Sequence, residues 1–232
     1  MISKQEAITK LRQEGYHISK NRFSTNYLKS LNFKIKTLID IGVNNGTPNL
    51  YAAFPKADMF LIDPQEISLE NLELWQKDKY KITFINKALG SREDEIDFYI
   101  SNISARSSIL QRQDKRKNES FTSQKVSLTT LDTLDKQLDF KGDIGLKIDV
   151  EGYEHEVLKG CDKVLKRTEF VIVETSIIER FKDGAKFSDV VTLLSAQDIE
   201  LFDILTPLIS SPKSIDCLFV RKSNKLFSKK NN

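Results

Sequence analysis

The sequence predicts an α/β fold of the Rossmann-like kind, a mostly parallel central sheet with helices on both faces and an antiparallel strand at its edge. Three observations predict it. An apolar run, Leu38-Ile39-Asp40-Ile41, stops in a polar turn that carries Gly42 and Gly46. Strand-like runs then alternate with helix-like stretches along most of the chain. Near the end, Ile199 to Leu205 and Ile215 to Val220 follow one another with only a proline-bearing turn between them, as an antiparallel pair requires.

The first elements cover the sheet. Ile2, Ala7, Ile8 and Leu11 recur at helical spacing within Ile2 to Glu14, and Ser24 to Leu31 reads as a second short helix. Leu38 to Ile41 is a strand buried on both faces, and the glycines after it let backbone approach a ligand closely. Pro48 opens a helix through Ala53, since proline suits a first helical position. Met59 to Ile62 is the second strand, ending at Asp63-Pro64, and a helix is expected from Glu66 to Lys77. Ile82 to Ile85 is the third strand and leads into Asn86-Lys87-Ala88-Leu89-Gly90. Ile96 to Ile100 alternates weakly like an edge strand.

A long polar passage from Ser101 to Lys125 follows, rich in arginine and lysine; it reads as a substrate lid or a flexible insertion. Val126 to Leu128 and Leu131 to Leu138 supply a short strand and a helix. Ile144 to Gly152 is a buried strand ending in Asp149 and Glu151, which an extended chain would place on one side. Tyr153 to Leu165 continues as a helix interrupted by Gly160. Phe170 to Val173 is a strand ending at Glu174, and Ser188 to Ala196 is a helix capped by its serine.

Length and composition set the class. A chain of 232 residues with 39% hydrophobic and 30% charged residues is a single larger globular domain. Residues 1–35 read as a helical extension, 36–222 as the Rossmann-like domain with 101–125 as a loop insertion, and 223–232 as a basic tail. No run reaches the roughly eighteen apolar residues of a membrane span, and Met1 to Lys20 carries no apolar leader, so the cytosol is the expected compartment. Cys161 and Cys217 lack metal or redox spacing and read as buried apolar side chains. Of the net +3, five positive charges (Arg221, Lys222, Lys225, Lys229 and Lys230) lie in the last twelve residues without an acid, so the body carries −2. A body of that charge gives no reason to expect nucleic acid as a partner.

The charge in the first turn sorts the ligands. A dinucleotide fingerprint carries three glycines as G-x-G-x-x-G, whereas this turn is G-x-x-x-G preceded by Asp40. A carboxylate there would repel a diphosphate and favour a cation such as S-adenosylmethionine, with its ammonium and sulfonium. Asp63 stands about twenty residues beyond the glycine turn, the spacing at which an acid reaches ribose hydroxyls over the first strand. The candidate cofactor contacts are therefore Asp40, Gly42, Asn44, Asn45, Gly46, Asp63, Pro64, Asn86 and Ala88, together with Asp149 from the strand expected beside the first.

The sequence resembles the FkbM family of S-adenosylmethionine-dependent methyltransferases over roughly residues 36 to 205. The resemblance rests on Leu38 to Gly46, Leu61-Ile62-Asp63-Pro64, Ala88-Leu89-Gly90, Ser107-Ser108-Ile109-Leu110 and, most specifically, Leu146-Lys147-Ile148-Asp149-Val150-Glu151-Gly152-Tyr153-Glu154. It departs from the family in carrying Asp63 where glutamate is frequent and in the short helix after Gly46. The resemblance implies a class I methyltransferase fold and O-methylation of a hydroxyl on a sugar, glycan or related natural product. Arg106, Ser107 and Ser108 are then candidate substrate contacts.

Transfer to a hydroxyl needs an aligned acceptor and a base or a metal. Asp149, Glu151, His155 and Glu174 are the candidates, and Asp149 with Glu151 offers two carboxylates to a divalent ion. Two rival readings use the same fold: a nucleotide-dependent oxidoreductase, and a cofactor-binding protein without catalysis.

Overall fold

The computed structural model describes residues 2–16, 22–66, 75, 80–103, 105–207 and 212–228. Helix α1 (Lys4–Gln13) starts with a capping box in which Ser3 and Glu6 bond each other's backbone, yet none of its residues is buried. Helix α2 (Thr25–Ser30) buries Leu28. Strand β1 (Thr37–Ile41) is buried throughout. Helix α3 (Pro48–Ala53), β2 (Asp58–Ile62) and β3 (Lys81–Ile85) follow. The helix expected over 66–77 falls almost wholly outside the described residues, although Trp75 is buried.

Next come β4 (Ala88–Leu89), β5 (Asp94–Ser101), β6 (Phe121–Thr129), α4 (Leu131–Leu138) and β7 (Ile144–Ile148). The single helix expected from Tyr153 to Leu165 is two, α5 (Glu154–Lys159) and α6 (Asp162–Leu165). They part at Gly160, where a Cβ would stand 2.0 Å from the Gly90 carbonyl oxygen. Strand β8 (Thr168–Ser176) runs beyond Glu174. Helix α7 (Phe187–Ser195) is capped at Lys186, not by Ser188: the Asp189 carboxylate accepts the Lys186 N–H at 2.9 Å. Strands β9 (Ile199–Ile204) and β10 (Ser214–Arg221) and a last turn of helix, α8 (Lys225–Ser228), complete the order.

Seven strands form one sheet in the order β3-β2-β1-β7-β8-β10-β9. Strands β3, β2, β1, β7 and β8 are parallel, and β10 is antiparallel to both β8 and the outermost β9. The order reverses at β1, so the connections that leave β1 and β7 run to helices on opposite faces of the sheet and leave a crevice. Strand alternation sends Ile39 and Ile41 into one core layer, with Leu131, Val157 and Leu194, and Leu38 into the other, with Leu50, Tyr51 and Phe170.

The passage between 101 and 125 is not a free loop. Its last residues belong to β6, which pairs antiparallel with β5, and β4 adds to β6 to make a second, three-stranded sheet. The remainder is tied by a bridge from Tyr99 to Ser108 and another from Arg112 to Phe181. Three of its polar residues, Arg106, Ser108 and Arg112, are buried. Those guanidiniums are held in ion pairs with Glu119, Asp114 and Glu151. Among the described residues no helix is long and apolar enough to cross a membrane.

Candidate active site

A cavity opens at the carboxyl ends of β1, β2, β7 and β8. Its walls are apolar in the middle, from Ile62, Leu89, Phe98, Ile109 and Val150, and polar at both ends.

The β1–β2 end is shaped by backbone. Gly42 has φ +77°, and a Cβ on it would lie 1.8 Å from the Asp149 carbonyl oxygen, so the tips of β1 and β7 touch as only glycine permits. Asp63 is buried against this turn, and its carboxylate accepts the N–H groups of Asn44 at 3.0 Å and Gln65 at 2.8 Å. Burial raises its pKa, while those N–H bonds oppose the rise. The Asn86 amide donates to the carbonyls of Asp63 (3.2 Å) and Pro64 (3.0 Å) and so braces the turn from behind without lining the cavity. Gly46, at φ +81°, leaves the room that the Trp75 ring fills. Gly42, Asn44, Asp63, Pro64 and Ala88 line the cavity; Asn45 and Gly46 do not.

Asp40 lies apart from the cavity. Strand alternation points it into the core layer of α3, where it is fully buried and accepts the hydroxyls of Thr47 (2.9 Å) and Tyr51 (2.7 Å). Its register partner across the sheet is Lys147, whose ammonium stands 3.2 Å from Asp40 and 3.3 Å from Asp149. Burial disfavours that ammonium, but the Asp40 and Asp149 charges outweigh it and raise the lysine pKa. Two carboxylates thus share one cation, and of the pair only Asp149 reaches the cavity. A lysine inside a strand otherwise apolar was the legible sign of such a partner.

The β7–β8 end is shaped by side chains. Strand β7 stops at Ile148, and Glu151 adopts φ 55° with Gly152 at φ 102°, so Asp149 and Glu151 are not alternate residues of one extended strand. Both nevertheless line the cavity, as does Glu174. Glu151 is held by the guanidiniums of Arg112 at 2.5 Å and Arg180 at 2.8 Å. Arg180 also reaches Glu174 at 3.1 Å, and the Ser214 hydroxyl donates to the other Glu174 oxygen at 3.1 Å. Burial, helped by the charges of Asp149 and Glu151, pushes the Glu174 carboxyl up to about 7 against the pull of Arg180. Burial raises Glu151 as well, with Arg180 and Arg112 opposing.

Glu154, which the spacing did not single out, supports the loop: its buried carboxyl accepts the N–H groups of Gly152 at 2.9 Å and Val150 at 3.3 Å, and burial raises it to about 8. Nothing near Arg180 in the sequence pointed to it. His155 is half-exposed, with Nδ1 3.2 Å from Glu156, and does not line the cavity. Ser107 lines the cavity, whereas the Ser108 hydroxyl donates to the Glu151 carbonyl at 2.6 Å and holds that bend in place. Arg106 faces Glu119 at 2.8 Å and lies in an adjoining hollow.

Two cofactor classes can be weighed against this lining. S-adenosylmethionine fits: an apolar slot for a base, the buried Asp63 for hydroxyls and Asp149 for a cationic end. A divalent ion between Asp149 and Glu151 fits poorly, because two guanidiniums already share one Glu151 oxygen. Among the described residues no three histidines, cysteines or acids are grouped to hold a metal.

A family model described as the methyltransferase FkbM domain matches residues 40–201. Among solved structures, a magnesium protoporphyrin IX methyltransferase from Synechocystis PCC 6803 with bound SAM is 10% identical, with 85% of this chain and 76% of that one covered and a TM-score of 0.47. A 1,6-didemethyltoxoflavin-N1-methyltransferase from Burkholderia thailandensis is 11% identical over 96% of this chain and 92% of that one, with a TM-score of 0.45. A S-adenosylmethionine-dependent methyltransferase from Clostridium acetobutylicum ATCC 824 is 9% identical over 94% and 97%, with a TM-score of 0.45. No curated protein matches the sequence.

Proposed function

This chain belongs to the FkbM methyltransferase domain family, and we propose that it is an S-adenosylmethionine-dependent O-methyltransferase acting on a hydroxyl of a sugar, glycan or related small molecule. The observation that carries the hydroxyl assignment is Glu174, a half-buried carboxyl in the cavity wall that desolvation and the charges of Asp149 and Glu151 push up to about 7. A hydroxyl must lose its proton as it is methylated, and a base works best when its pKa lies near the working pH.

When bound, the cofactor supplies a methyl carbon made electrophilic by its sulfonium. Asp63 takes the ribose hydroxyls, with Pro64, Ala88 and Leu89 covering the base, and Asp149 faces the cationic end. Glu174 accepts the acceptor's proton. Arg180 and Ser214 hold Glu174 in place, and Arg112 with Arg180 fixes Glu151 at the acceptor's entrance. The wall of Phe98, Ile109 and Val150 excludes water from the reacting atoms. The free, buried Cys161 and Cys217 accord with work in the reducing cytosol.

Calorimetry separates this reading from the oxidoreductase alternative. S-adenosylmethionine should bind in the micromolar range, about −8 kcal/mol, and NAD should not. NAD binding without S-adenosylmethionine binding would overturn the choice of cofactor.

A further inference from the structure

A second hollow adjoins the cavity and shares Ala105, Glu151 and Glu174 with it as a common wall. Its chemistry is different. Two buried guanidiniums, Arg106 and Arg180, line it, and three further cations, Lys115, Arg116 and Lys213, stand around them. The acids here are already matched. Glu119 is held by Arg106 at 2.8 Å, Glu151 by Arg112 and Arg180, Glu174 by Arg180, and Asp114 by Arg112 at 2.9 Å with Arg106 at 3.6 Å.

The guanidiniums of Arg106, Arg112 and Arg180 are thus spent on protein carboxylates, whereas among the described residues Lys115 and Arg116 make no ion pair and Lys213 makes only a long, exposed one. Lys213 stands 3.7 Å from Asp114 with its side chain 63% exposed, and Lys115 lies over the Phe121 ring at 5.5 Å. Among the residues named here six cations face four carboxylates, and the unmatched positive charge lies at the exposed Lys115 and Arg116 on the rim of the hollow. A concave cluster of this sign focuses its field and attracts anions more strongly than a flat surface does.

We propose that this hollow seats an anionic substituent of the acceptor, a phosphate or carboxylate carried on the same hydroxylated molecule whose hydroxyl faces Glu174. The proposal rests on the methyltransferase reading and narrows its substrate class to acidic polyols. Lys115, Arg116 and Lys213 hold the anion, and Arg180 marks the boundary between its seat and the reacting hydroxyl.

The test uses the full chain with and without S-adenosylhomocysteine, titrated with glucose 1-phosphate, glucuronate and methyl glucoside. At least one of the two anionic sugars should bind about tenfold or more tighter than the neutral one, the order of a charge-assisted hydrogen bond. The advantage should shrink as salt rises from about 0.01 M to about 0.15 M, where the screening length falls from about 30 Å to about 8 Å. Which anionic sugar gains tells phosphate from carboxylate. The triple variant Lys115→Gln, Arg116→Gln, Lys213→Gln should lose the advantage with its affinity for S-adenosylhomocysteine unchanged. Equal binding of all three sugars, no binding of any, or an advantage that survives the triple variant overturns the proposal. Anion binding without cofactor binding would instead fault the methyltransferase reading and leave the seat standing.

Discussion

At the Asp63 end of the cavity the shaping contacts are backbone contacts between adjoining strand tips, whereas at the Glu174 end they are side-chain ion pairs recruited from distant segments. Asp63 accepts N–H groups from the turn after β1 and from its own turn. Glu151 instead depends on Arg112 and Arg180, 39 and 29 residues away in sequence. Backbone donors are in place whatever the neighbouring side chains are, so the first end suits a fixed ligand common to many enzymes. Side-chain pairs can be exchanged one at a time, so the second end is where acceptor choice can vary.

If the second end does the chemistry, its base should show the largest effect. Glu174→Gln is expected to lower turnover about 10²–10⁴-fold, the usual contribution of general base catalysis, with cofactor affinity unchanged. In the native enzyme the rate should rise as pH passes through about 7, because raising pH removes the proton that burial keeps on Glu174. A pH profile of single-turnover methyl transfer, with cofactor saturation checked in each protein, reads both.

Lys147 ties the buried Asp40 to Asp149 in the cavity wall, and its removal tests how far that core position depends on it. Lys147→Ala leaves Asp40 buried without its cation, so it should lose about 3–5 kcal/mol in urea unfolding. A loss under about 1 kcal/mol would mean that Asp40 is satisfied by Thr47 and Tyr51 alone. A smaller effect is expected at the first end. Asp63→Ala should weaken S-adenosylmethionine binding by about 1.5–3 kcal/mol, measured calorimetrically, through loss of hydrogen bonds to a charged partner. Unchanged affinity would take Asp63 out of the site. The smallest effect belongs to His155→Ala, which should stay within about 0.5 kcal/mol of native in both turnover and stability, as substitutions away from such networks do.

The same contrast explains what could be read from the residues. The β1 and β2 tips were legible because a buried strand, a glycine turn and an acid about twenty residues later are local patterns that survive without knowledge of packing. The placement of Asp40 was not: its position before the glycine reads as a ligand contact, and only the strand's alternation together with the register partner Lys147 turns it into the core. Glu174 could be singled out because it follows an apolar run, and the structure puts it in the cavity wall. Arg180 was missed because its role exists only once β8 and the bend at Glu151 meet, and Glu154 because its carboxyl serves a bend that the extended reading of 149–151 did not foresee. The 101–125 passage looked loose since its arginines read as solvent-facing charge, yet their partners, Glu119 and Glu151, draw them inward.

A crystal structure of the protein with S-adenosylhomocysteine tests the central claim most directly. The ribose hydroxyls should meet the Asp63 carboxylate, and the sulfur should face the wall formed by Asp149 and Glu174. Adenosine bound outside the β1–β2 tips, or a sulfur turned away from Glu174, would contradict it.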